Sequence, residues 1–144
     1  MGEVFLAASF AAFGAQLASG SSAMRSRAMG GRYQERPPLP FAPGVELSGT
    51  VDAVGEGAAL AVGDRVCGFV PYGAFAQYAC VDAADLVVAP DGVDLEDAAA
   101  LPVVYGTAHH ALVERGRLQA GETLLVLAAA GGVGLATVQL GRAL

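Results

Sequence analysis

Lysine, asparagine and isoleucine do not occur in this 144-residue sequence, so all eight basic residues are arginine. The three missing amino acids have A/T-rich codons, and a GC-rich gene accounts for their joint absence. The chemistry thereby excluded is that of a Schiff-base lysine and of the lysine of a phosphate-binding P-loop. Positive charge is scarce as well: fourteen acids leave a formal net charge of −6, with no basic run or stripe. That balance argues against nucleic acid and anionic membrane as partners, though it leaves room for a phosphate held locally at a helix N-terminus. Cysteine is limited to Cys67 and Cys80, neither in a CxxC pair and neither at ligand spacing from a histidine. Both are expected to be small core hydrophobes in a reducing compartment rather than a disulfide or a metal site. What the chain has in quantity is apolar residues, 54% of the total, enough for a core within one ordinary domain length.

The N-terminal apolar stretch from Val4 to Leu17 is too short for a membrane span. Met1-Gly2-Glu3 lacks the positive charge a secretory signal needs, and Leu6 stands where a myristoylation signal needs Ser or Thr. Serines and arginines follow, at Ser19, Ser21, Ser22, Arg25 and Arg27, which gives some character of an organelle transit segment. Residues 1–30 are therefore read as an atypical leader, with a cytoplasmic location expected and a mitochondrial one as the alternative.

Beyond Gly30-Gly31 the pattern changes. The prolines of Arg36 to Gly44 force extended chain. Strands are then expected over 45–54, 65–70, 74–81 and 86–89, divided by the turns Gly55-Glu56-Gly57, Gly63-Asp64 and Pro71-Tyr72-Gly73. Short strands separated by glycine turns predict a compact β-barrel-like unit. Asp94 is a candidate N-cap, with Asp97 in the reciprocal position of a capping box, for a short helix over 95–101 that ends near Pro102. A longer helix is expected over 104–115 with Gly116 as its C-terminal cap.

The last segment carries the strongest signal. Thr123 to Leu127 is a continuous apolar run of the kind a strand buried on both faces shows. It leads through Ala128-Ala129-Ala130-Gly131-Gly132-Val133-Gly134 into a helix over 135–144. Strand, glycine loop and helix together open a dinucleotide-binding unit. A pyrophosphate needs exposed backbone N–H groups without side chains in the way, which Gly131 and Gly132 permit, while Gly134 lets the helix sit close to the strand. The alternative is a tight strand-to-helix turn with no ligand. The residue that reads the ribose is expected about twenty positions further on, so NAD and NADP are not separable here.

On the segments GRYQERPPLPFAPGVELSGTV, VGDRVCGF, AFAQYACV, AAALPVVYGTA and GETLLVLAAAGGVGLATVQLGRAL, the region from Gly31 to Leu144 resembles the zinc-independent quinone oxidoreductases. These are a branch of the medium-chain dehydrogenase/reductase family that includes zeta-crystallin and the quinone oxidoreductase-like proteins. The loop fits the AxxGxxG form of that branch at Ala128, Gly131 and Gly134. The resemblance implies a mixed α/β fold with a β-barrel part. Residues 31–101 would be a partial GroES-like catalytic domain, and residues 102–144 the first strand, loop and helix of a Rossmann domain.

It further implies NADPH as cofactor and hydride transfer to a quinone or related enone. By resemblance, Tyr33 flanks the nicotinamide and substrate pocket, Thr107 lies near the nicotinamide, and Ala130, Gly131, Gly132 and Val133 hold the pyrophosphate. The bland alternatives are a packing aromatic at Tyr33 and a helix hydroxyl bonded to its own backbone at Thr107. Val45 stands where zinc-dependent relatives carry a ligating histidine, and Leu101-Pro102-Val103 covers the place of their cysteine ligand, so no metal is expected. His109 and His110 are adjacent on a helix and point apart. The family's further Rossmann strands are not in the sequence, so a truncated chain of marginal stability is expected, with a homodimer as one source of the missing neighbours. The competing reading is a catalytically inactive fragment that acts only as a binding or non-functional module.

Overall fold

The computed structural model describes residues 2–8 and 37–144. Tyr33 lies outside the described residues, as does most of the expected leader. Among the described residues there are five strands: β1 (Glu3–Ala8), β2 (Glu46–Val54), β3 (Arg65–Phe69), β4 (Tyr78–Asp82) and β5 (Leu86–Val88). They form one antiparallel sheet in the order β4-β1-β2-β3-β5.

The first strand corrects the reading of residues 1–30 as a leader alone. Val4 and Leu6 are fully buried while Glu3 and Phe5 point outward, the period-two alternation of a half-buried strand. The alternation is hidden in the sequence because the outward residue is itself apolar. Phe5 stacks on Tyr78 of the neighbouring strand, ring centroids 5.5 Å apart, and gains cross-strand contact there instead of full hydration.

The outermost strands, β4 and β5, are adjacent in sequence, joined only by the 3₁₀ turn Ala83–Asp85. Three intervening residues span at most roughly 14 Å, whereas the edges of a flat five-stranded sheet lie about 19 Å apart. The sheet therefore curls. All five strands send side chains into one core: Val4 and Leu6, Leu47 and Val51, Val66, Val81 and Leu86. This is the barrel-like unit expected from the glycine turns, closed by curvature and packing rather than by a β4–β5 ladder.

The outer face of the sheet carries the helices. Cys67, next to Val66 on β3, points away from the barrel core and packs with Ala89 and Ala98, flanked by Leu95 and Leu101. It is buried as expected, but Cys80 is exposed, so only one of the two cysteines is a core residue. Helix α1 (Leu95–Ala98) begins after Asp94, whose side chain makes no capping bond, so the expected capping box does not form.

Residues 101–115 follow as one helical rod: a π-helical turn (Leu101–Tyr105), an α-helical turn α2 (Gly106–His109) and a second π-helical turn (His110–Arg115). Pro102 sits in the first turn rather than ending a helix, because the N–H it lacks has no intrahelical partner at that position. Leu101 and Pro102, on either side of the expected domain boundary, both lie in the first turn of the rod. Gly116 stays right-handed, and it is Arg117 that takes the left-handed turn, at φ 52°.

Thr123 to Leu127 forms no strand: it has no ladder partner among the described residues, and Leu125 and Leu127 are more than 80% exposed. A strand exists only with a neighbour, and a hydrophobic run cannot supply one. The chain ends in helix α3 (Gly132–Ala143). No helix among the described residues is long and apolar enough to cross a membrane.

Candidate functional site

The turn Leu127–Ala130 feeds α3, and its backbone explains the spacing of the glycine loop. Ala128 is left-handed, at φ 54°, a conformation that costs an alanine roughly 1 kcal/mol. In that pose its carbonyl is held between two glycines. The N–H of Gly131 donates to it at 3.0 Å. Gly134, one turn into α3, packs so closely that a Cβ there would drive into the Ala128 oxygen and stand 2.8 Å from Ala129 Cα. Positions 128, 131 and 134 are therefore a single packing unit. Further along, Gly141 lets α3 press onto Leu124, with Leu112 of the helical rod behind it.

Gly131 behaves differently from Gly134. Its φ is −81° and ψ 162°, ordinary extended backbone, and a Cβ there would meet nothing closer than 3.5 Å. The space it leaves belongs to a cleft of about 530 Å³, bounded on one side by Leu101, Val104 and Tyr105 and on the other by Ala130 to Gly132 and α3 residues out to Gln139. Gly131 caps α3 with no side-chain bond, so the first N–H groups of the helix are left for whatever enters. The cleft lining has no basic residue and includes Asp97, which leaves backbone N–H groups and the helix dipole as its anion-binding chemistry. These features fit a pyrophosphate: a Cβ-free wall, unpaired N–H donors and a twelve-residue helix pointing its positive end at the opening.

The structure brings Ala130, Gly131 and Gly132 together in the cleft and sets Ala128 and Gly134 beneath it as support. Val133 is partly exposed in the first turn of α3 and is not part of the lining. Thr107 is exposed on α2 and is likewise outside the cleft. His109 and His110 are exposed, and His110 pairs with Glu114, at 2.8 Å. Among the described residues no group of three or more His, Cys, Asp or Glu side chains is placed to hold a metal ion.

Residues that sequence reasoning missed form the opposite wall and its support. Tyr105 donates its hydroxyl proton to Gln139 Oε1 across the cleft, tying the rod to α3. Two polar residues on the outer face of β2 are buried and engage the helices: Ser48 donates to the Leu95 carbonyl, and Glu46 Oε1 accepts from the N–H groups of Val103 and Val104, each at 3.2 Å. Only the partners, assembled by the fold, distinguish Glu46 from the surface glutamates. Burial raises its carboxyl pKa above the ordinary glutamate value, with the N–H donors of Val104 and Val103 pulling the other way.

That shift fixes a pH dependence. A carboxyl whose folded pKa lies above its unfolded value binds its proton more tightly when folded, so its contribution to stability is lost as pH rises through that window. Comparing the parent with Glu46→Gln cancels the other acids. The stability of the parent relative to the glutamine variant is expected to fall as pH rises from the ordinary glutamate range through the raised value, then level off. The slope is at most about 1.4 kcal/mol per pH unit. Urea melts at stepped pH measure it, and a flat or rising difference would contradict the assignment.

Comparison with known proteins places these features. Residues 17–91 match the alcohol dehydrogenase GroES-like domain. The match begins inside the stretch read as leader. The sequence is 49% identical to mouse quinone oxidoreductase-like protein 2 over 111 residues, covering 76% of this chain and 32% of the mouse protein. It is 41% identical to rat quinone oxidoreductase over 115 residues, 78% of this chain and 35% of that protein. Among solved structures, Escherichia coli quinone oxidoreductase in complex with NADPH superposes with a TM-score of 0.81 at 29% identity, over 99% of this chain and 41% of that one. The chain thus spans about a third of the length of the curated relatives it matches.

Proposed function

Since the chain belongs to the family of alcohol dehydrogenase GroES-like domains, in its quinone oxidoreductase branch, we propose that it serves NADPH-dependent hydride transfer to a quinone or a related enone. The observation that carries this reading is the cleft at the glycine loop, where Gly131 lines the wall with room for a Cβ and the N–H groups of the first turn of α3 have no side-chain cap.

In this reading the backbone of Ala130, Gly131 and Gly132, with the uncapped first turn of α3 behind it, holds the pyrophosphate. Gly131 keeps that wall clear, and Ala128 with Gly134 sets the angle at which α3 leaves the turn. NADPH, when bound, supplies the hydride; the protein contributes position and exclusion of water. Tyr33 and Thr107 are assigned to the nicotinamide and substrate pocket on resemblance alone. Two unpaired cysteines, Cys67 and Cys80, accord with a reducing compartment, cytoplasmic or mitochondrial.

One observation favours a second reading, a module that binds but does not turn over: Leu125 and Leu127 lie exposed beside the loop, with no strand neighbour among the described residues. Titration of the chain with NADPH, followed by addition of 1,4-benzoquinone, separates the two. Saturable binding with quinone-dependent loss of nicotinamide absorbance is expected. Binding without turnover would favour the module, and no binding at all would sink both.

A further inference from the structure

Residue 46 lies at the start of β2, on the barrel, yet its Oε1 is bonded to the wall of the cleft. The helical rod begins at Leu101 behind Ala100, which has no side chain able to cap it. Its first turn leaves N–H groups without intrahelical acceptors, and Pro102 removes one of them outright. Glu46 Oε1 accepts from the next two, those of Val103 and Val104. The glutamate therefore does from 57 residues away what an N-cap serine or aspartate does from the neighbouring position. Val104 and Tyr105, in that same turn, form one wall of the cleft, and Tyr105 is bonded onward to Gln139 of α3. A fixed line of contacts runs from β2 through the rod to the helix that carries the glycine loop.

The geometry points to Glu46 as a positioning residue for the cofactor cleft: by accepting the Val103 and Val104 N–H bonds it sets the Leu101–Tyr105 wall at its distance from Gly131 and Gly132. Glu46 is not itself a lining residue; it bonds the backbone of the wall from behind and acts through the rod. The inference rests on the cleft being the cofactor site. What it needs from residue 46 is an acceptor oxygen, with or without charge. Glutamine therefore substitutes, and methionine, which keeps the bulk without the acceptor, does not.

The experiment compares parent, Glu46→Gln and Glu46→Met as full chains, first by amide hydrogen exchange and backbone resonances, then by NADPH titration. In the parent and the glutamine variant the Val103 and Val104 amides are protected. In the methionine variant they exchange about tenfold faster or more, as two half-buried donors without an acceptor would, and the Gly131 and Gly132 resonances shift with them. NADPH affinity falls by about tenfold in the methionine variant and stays within about threefold of the parent in the glutamine variant.

Unprotected Val103 and Val104 amides in the parent would overturn the inference. So would a methionine variant with unmoved glycine-loop resonances, or one that binds NADPH as the parent does. If the methionine variant does not fold, the glutamine variant decides: native loop resonances support the role of the acceptor, and displaced ones overturn it. A parent that binds no NADPH refutes the cofactor reading, and the exchange and resonance data still decide whether Glu46 sets the wall.

Discussion

Replacing Gly134 with valine is expected to destabilise the chain by about 2–4 kcal/mol, seen as a lower midpoint in urea or thermal melts. The reason is backbone against backbone. Any Cβ at 134 points at the Ala128 carbonyl oxygen and lies 2.8 Å from Ala129 Cα, and neither atom is the movable end of a side chain. The loop can yield only by tilting α3 away from the turn. That would pull Gly141 off Leu124 and lengthen the Gly131–Ala128 hydrogen bond. Overpacking of this kind costs more than the small change in helix propensity between glycine and valine, which is of opposite sign. Alanine at 134 makes the same first contact with a smaller side chain and should show the same direction at reduced size. A valine variant as stable as the parent would show that the closeness of α3 to the turn is not a constraint.

The uneven legibility of the sequence has the same kind of cause. Strands β2, β3 and β5 were readable because glycine and proline turns bound them and because turn chemistry is local. β1 was not, since a strand whose outward residue, Phe5, is apolar has no visible alternation. The glycine loop was readable for the opposite reason: Ala128, Gly131 and Gly134 act through contacts within seven residues, so their spacing is itself the structure.

Glu46 could not be read, because a carboxylate becomes a helix cap only when the fold carries Val103 and Val104 to it. Thr123–Leu127 marks the converse error. Its composition is that of a buried strand, yet pairing is a property of two segments, and among the described residues it has no second. Pro102 shows a subtler limit. Proline stops a helix from the inside and starts one from the first turn, and the sequence alone did not say which side of the boundary it occupied.

Gly131 provides the sharpest separation of folding from binding. Its valine variant is expected to fold as the parent does while losing NADPH affinity by at least about tenfold, or about 1.4 kcal/mol. The backbone at 131 is in an extended region that valine adopts freely, and its nearest neighbour to a new Cβ, the Ala128 oxygen, is 3.5 Å away. The remaining cost to the fold is that of a poor N-cap residue at the start of α3, no more than about 1 kcal/mol. The branched side chain instead projects where Gly131 leaves the cleft wall bare, between the incoming phosphate and the N–H groups that would receive it. Circular dichroism and a melt establish that the variant is native before it is titrated. His110→Ala serves as the control. His110 is exposed, pairs with the equally exposed Glu114 and stands outside the cleft, so both stability and affinity should stay near the parent's. If the folded valine variant bound NADPH as tightly as the parent, the loop would be a strand-to-helix turn and no more, and the cofactor would have to be sought elsewhere in the molecule.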